Sequence, residues 1–158
     1  MSLCVRRAAI QDYSGLCALF EEVDTLHRRA HPGLFRKQRG PARDRQYLAA
    51  LLAEATVAIF VAELEGQVVG LVHLLIEHAP DIPIFVPRRY AVIDDLVVRQ
   101  DLAGAGIGRA LMELAGDWAR DRGASSMELN VFEFNQAARA FYERLGYHTV
   151  SRRMSKAL

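Results

Sequence analysis

The segment Leu102-Ala103-Gly104-Ala105-Gly106-Ile107-Gly108-Arg109 sets three glycines between an apolar run that ends at Val98 and an amphipathic stretch. The first N–H groups of a helix lack acceptors inside it, and the helix dipole adds positive potential at that end. Glycines let an anion approach the backbone without meeting a Cβ. The direct reading is a loop that holds a phosphate or pyrophosphate. It is neither of two familiar phosphate loops. G-x-G-x-x-G would need glycine where Arg109 stands, and the Walker A ending Gly-Lys-Ser/Thr is absent. The competing reading is a loop that merely packs a helix tightly on a sheet.

Other residues could do acid–base or recognition chemistry. Asp94 and Asp95 interrupt an apolar run, and a carboxylate inside a strand is costly unless paired. Adjacent strand residues face opposite ways, so one carboxylate is expected on each side. His73 and His78 lie on a neighbouring strand, and a histidine near neutrality is a plausible base. A structural role is the competing reading for both. Arg36, Lys37, Arg39, Arg43 and Arg45 form a basic cluster, either a solvated loop or a site for a carboxylate or phosphate. Asn135 precedes a helical pattern and suits an N-cap. Tyr142 sits beside Phe141, where it can pack in the core or present a phenol.

The elements that must position these groups follow from periodicity. Leu3–Arg7 reads as a strand. A helix from Asp12 buries Leu16, Leu19, Phe20 and Val23 at one-face spacing. His31–Arg43 reads as a loop, and a second helix buries Leu48, Leu51 and Leu52. A hairpin follows, turning at Glu65-Gly66, and Tyr90–Val98 is a further strand. Helices at 106–122 and 136–145 alternate with strands at 126–131 and 147–154. The order βααβββαβαβ predicts a mixed α/β fold with helices on both faces of the sheet.

At 158 residues and 51% apolar content the chain suits one domain, 1–158, with a sizeable core. A formal charge of +1 argues against a general nucleic-acid binder. No apolar run nears the roughly 20 residues of a membrane helix, and no signal peptide is recognised. Cys4 and Cys17 fit no zinc spacing and read as reduced thiols, so a cytoplasmic protein without a metal is expected.

Three stretches together resemble the GNAT superfamily of N-acetyltransferases. They are Val92-Ile93-Asp94-Asp95-Leu96-Val97-Val98, the glycine loop, and Asn135…Ala138…Phe141-Tyr142-Glu143-Arg144-Leu145-Gly146-Tyr147. The resemblance covers roughly the last 70 residues motif by motif, and the remainder only by element order. It implies the GNAT fold, with a central mixed sheet of six to seven strands, and acetyl-coenzyme A as co-substrate. It implies a diphosphate on the amides of Gly104, Ala105, Gly106, Ile107, Gly108 and Arg109. The pantetheine arm would pair with the main chain at Leu96, Val97 and Val98 and receive a hydrogen bond from Asn135. Tyr142 would protonate the departing thiolate. Asp94 would serve as a base, through water, or would attract a cationic amine. His27 and His31 would border the acceptor pocket. The amine would attack directly, without a covalent enzyme intermediate. The implied acceptor is a small-molecule amine or amino acid. A protein or peptide amine, and a non-catalytic acyl-coenzyme A-binding module, stand as alternatives; a homodimer is optional. Two positions depart from the family pattern: Asp101, where Gln or Arg is usual, and Ala105, where a basic residue is frequent.

Overall fold

The computed structural model describes residues 2–158. Five strands form one sheet in the order β1-β2-β3-β4-β5. They are β1 (Leu3–Arg7), β2 (Val57–Leu64), β3 (Gln67–His78), β4 (Arg89–Val98) and β5 (Met127–Leu129). Neighbours are antiparallel except β4 and β5, which run parallel. The helices are α1 (Tyr13–Ala30), α2 (Arg45–Ala53), α3 (Ile107–Asp121) and α4 (Gln136–Arg144).

β2 is apolar on both faces because helices cover both. Ile59 and Val61 pack with Leu16, Leu19 and Phe20 of α1 and Leu48 of α2. Ala58, Phe60 and Ala62 pack with Ile107, Leu111, Ala115 and Trp118 of α3. The β2–β3 turn holds Glu65 at φ 51° and Gly66 at φ 78°. Positive φ at both central residues is the turn that suits the twist of a two-residue hairpin.

Two expectations are corrected. The sheet has five strands among the described residues, not six to seven. Residues 147–158 form no strand: Val150 and Met154 are 81% and 91% exposed. Arg152 and Arg153 break the alternation there, so the segment has no apolar face to bury.

Asp12 holds β1 to the start of α1. Its carboxylate accepts from Arg6 Nη1 at 2.8 Å, Arg6 Nη2 at 2.9 Å and the Ala9 N–H at 2.8 Å. The Arg6 guanidinium holds the Asp12 carboxyl below its usual range, against the opposing effect of burial. A lowered folded-state pKa means the contribution is present above the unfolded value of about 3.9 and is lost as pH falls through the folded one. Asp12→Ala is expected to cost about 1–3 kcal/mol near neutrality. Urea titrations should show the difference between wild type and variant shrinking in acid.

Candidate active site

The glycine loop leads from β4 into α3. Gly106 caps α3 at φ 83° and Gly104 lies at φ 82°, a region open to few other residues. A Cβ added at either would meet nothing within 4 Å, so the space above the loop is open. The first intrahelical bond runs from the Ala110 N–H to Gly106 O at 3.1 Å, which leaves the N–H groups of Ile107, Gly108 and Arg109 without helical acceptors. Ile107 is buried in the core and pins this end of α3. Gly108 has a different reason to be glycine: a Cβ there would come within 3.2 Å of Phe141 Cζ. It lets α4 pack against α3. Asp101 turns aside to Arg99, with Oδ1 2.7 Å from Nε, and so is already paired.

β4 and β5 pair only at Ala91–Met127, Val92–Glu128 and Ile93–Leu129. Beyond that register the strands part. The β4 residues Asp94 to Leu96 face a cleft of about 630 Å³. Its walls include Asp94, Asp95 and Leu96 of β4, Asn135 and Tyr142 of the α4 region, and His27 of α1. Val97 is a core residue whose side chain points to α1, so only its main chain is available to a ligand. Val98 lies beside Gly108 and Phe141. The structure therefore gathers Asp94, Leu96, Asn135 and Tyr142 around one cleft. The Gly104–Arg109 loop stands outside it, at the end of β4.

The carboxylates do not split across the sheet as expected. The β3–β4 register shifts between His73 and Leu74: His73 pairs with Asp95, and Leu74 with Ile93. Asp94 is the extra residue of this bulge. Both carboxylates approach one imidazole, with His73 Nδ1 3.3 Å from Asp95 Oδ2 and 3.5 Å from Asp94 Oδ2. A carboxylate only accepts, so Nδ1 carries a hydrogen toward Asp95. His78 is elsewhere, accepting from Arg89 Nε at 3.1 Å.

Asn135 caps α4: its Oδ1 accepts from the Ala138 N–H at 3.2 Å while the residue also borders the cleft. Tyr142 is mostly buried. Burial, with the nearby Tyr147 and Asp95, pushes its phenol up to about 12. The hydroxyl thus stays a donor throughout the ordinary pH range.

The sequence reading missed an aromatic wall. Ring centroids of His27, Phe35 and Phe132 lie 5.3–5.8 Å apart, and His31 and Phe134 join the same cluster. The Phe132-Glu133-Phe134 alternation was its only local signal. This wall ties the start of the 31–43 loop to the segment after β5. The end of the loop is tied by Arg43, which stacks 3.9 Å from the Phe20 ring and bonds Asp24 Oδ2 at 2.9 Å. Of the basic cluster, only Arg36 and Arg43 border the cleft.

A sheet that opens between parallel strands, a glycine loop beyond the end of β4 and a phenol beside the gap form the layout that the resemblance to N-acetyltransferases implies. The comparisons agree. The profile of the Acetyltransferase (GNAT) family matches residues 20–147, and the chain belongs to that family. An uncharacterized N-acetyltransferase of Methanocaldococcus jannaschii is 35% identical over 103 residues, covering 65% of this chain and 44% of that protein. The match thus spans under half the length of the archaeal relative. An uncharacterized N-acetyltransferase of Bacillus subtilis is 27% identical over 143 residues, covering 90% of this chain and 88% of the relative. A crystal structure of a mutant of the Bacillus halodurans protein BH1408 superposes with a TM-score of 0.93 at 26% identity, covering 98% of this chain and 99% of the other. No helix of the described residues is long and apolar enough to cross a membrane.

Proposed function

We propose that the chain moves the acetyl group of acetyl-coenzyme A to a primary amine by direct attack, with a small-molecule amine or amino acid as acceptor. The observation that carries this reading is the gap between β4 and β5, which leaves β4 main-chain groups free beside Tyr142. A pantetheine arm, with its amides, suits such an edge as an added strand. The open space over Gly104 and Gly106, with the free N–H groups behind it, suits a diphosphate. The reading keeps Gly104–Arg109 for the diphosphate, Leu96–Val98 and Asn135 for the arm, and Tyr142 for the leaving thiolate. It treats 1–158 as one domain, needs no metal, and suits a cytoplasmic enzyme, for which the free Cys4 and Cys17 are fitting.

Asp94 is the group in this reading that meets the acceptor. Its carboxylate is 60% exposed, on the bulge that faces the cleft. An amine must lose its proton to attack, so the site has to hold a cation and then deprotonate it. Asp94→Asn is expected to lower kcat/KM for a cationic amine by about 10²-fold, the lower range for acid–base groups, and to spare acetyl-coenzyme A binding. The deficit should shrink as pH rises and free amine becomes abundant. Parallel pH–rate profiles with no loss would remove Asp94 from the mechanism. An acetyl-transfer screen over polyamines, aminoglycosides, amino acids and peptides tests the reading as a whole.

A further inference from the structure

We infer that the acceptor is an amine that also carries a carboxylate, a free amino acid with an apolar or aromatic side chain. This rests on the acetyl-transfer reading above and names the acceptor within the same cleft. Most charges along the cleft already have partners. Asp24 is bonded by Arg43 at 2.9 Å. Arg28 bonds Glu21 at 2.7 Å and Thr25 at 2.8 Å. Asp95 receives His73 at 3.3 Å. Two opposite charges are left facing the space. One is Asp94, with only a 3.5 Å approach from His73. The other is Arg36, which has no hydrogen-bond or ion-pair partner among the described residues.

These two charges stand on different walls, Asp94 on β4 and Arg36 on the loop between α1 and α2. A purely cationic acceptor satisfies Asp94 and is repelled by Arg36. An acceptor with both an ammonium and a carboxylate satisfies both, and an arginine fork matches a carboxylate in shape. The wall of His27, Phe35 and Phe132 offers ring faces and edges to the rest of the molecule. A concave site of about 630 Å³ has the size of small-molecule sites.

The test compares phenylalanine with phenylalaninamide and phenethylamine, which keep the amine and ring but lack the carboxylate. Wild type should show a kcat/KM for phenylalanine at least about tenfold above both, the scale of one charge-assisted contact at a partly solvated site. Arg36→Ala should erase that preference by raising KM for phenylalanine, and Arg36→Lys should restore part of it. Lys37→Ala removes the same charge from outside the cleft wall and should keep the preference. Equal or better use of the carboxylate-free amines, or an undiminished preference in Arg36→Ala, overturns the inference. Calorimetry with phenylalanine and coenzyme A separates this from the reading beneath it. Phenylalanine binding that depends on Arg36, without turnover of any amine, would uphold an amino-acid ligand for the cleft and refute acetyl transfer.

Discussion

Tyr142→Phe is expected to lower kcat by about 10²–10⁴-fold, the range a positioned acid supplies, with little change in acetyl-coenzyme A affinity. The phenol is partly buried on α4 beside Phe141 and Tyr147, and it lines the cleft. Its raised pKa keeps the proton in place, so a departing thiolate meets a donor rather than a second anion. The phenol loses its proton only as pH rises toward about 12, so no descending limb below that belongs to Tyr142. Phe keeps the packing and removes only the donor. Single-turnover kinetics are the right measurement, because slow product release would mask the chemical step. Unchanged single-turnover rates would show that water protonates the thiolate.

Gly106→Asp is expected to weaken acetyl-coenzyme A binding by about 100-fold or more. Like charges brought together cost several kcal/mol, and each 1.4 kcal/mol is about tenfold. Gly106 lies at φ 83°, so any side chain there also carries strain of roughly 1–2 kcal/mol. Gly106→Ala supplies the strain without the charge and should lose far less. Calorimetric titration of both variants isolates the electrostatic part. Wild-type affinity in the Asp variant would place the diphosphate elsewhere.

Much of the fold could be read from local pattern. The hairpin stood out because two apolar runs flank Glu65-Gly66, and α3 because Ile107, Leu111, Ala115 and Trp118 fall on one face. The glycine loop was readable for the same reason: its spacing is local. What escaped was set by pairing between distant segments. The bulge that brings Asp94 and Asp95 to His73 is a property of β3–β4 register, and neither strand alone announces it. The aromatic wall joins residues 27–35 with 132–134, more than 90 positions apart in sequence. Gly108 could not be told from a phosphate-approach glycine until Phe141 was seen against it. The expected strand at 147–154 rested on isolated apolar residues, of which Val150 and Met154 are exposed and Tyr147 packs beside Tyr142 instead of pairing in the sheet.

The β4–β5 gap is the proposed meeting place of acetyl-coenzyme A and an amine. The most direct measurement follows free thiol released from acetyl-coenzyme A across an amine panel, with mass spectrometry of the acceptor, in wild type and Tyr142→Phe. The structure predicts thiol release matched by N-acetylated product for at least one amine class, and suppressed in the variant. Tight acetyl-coenzyme A binding with no acetylated product from any class would contradict it and leave a binding module in place of an enzyme.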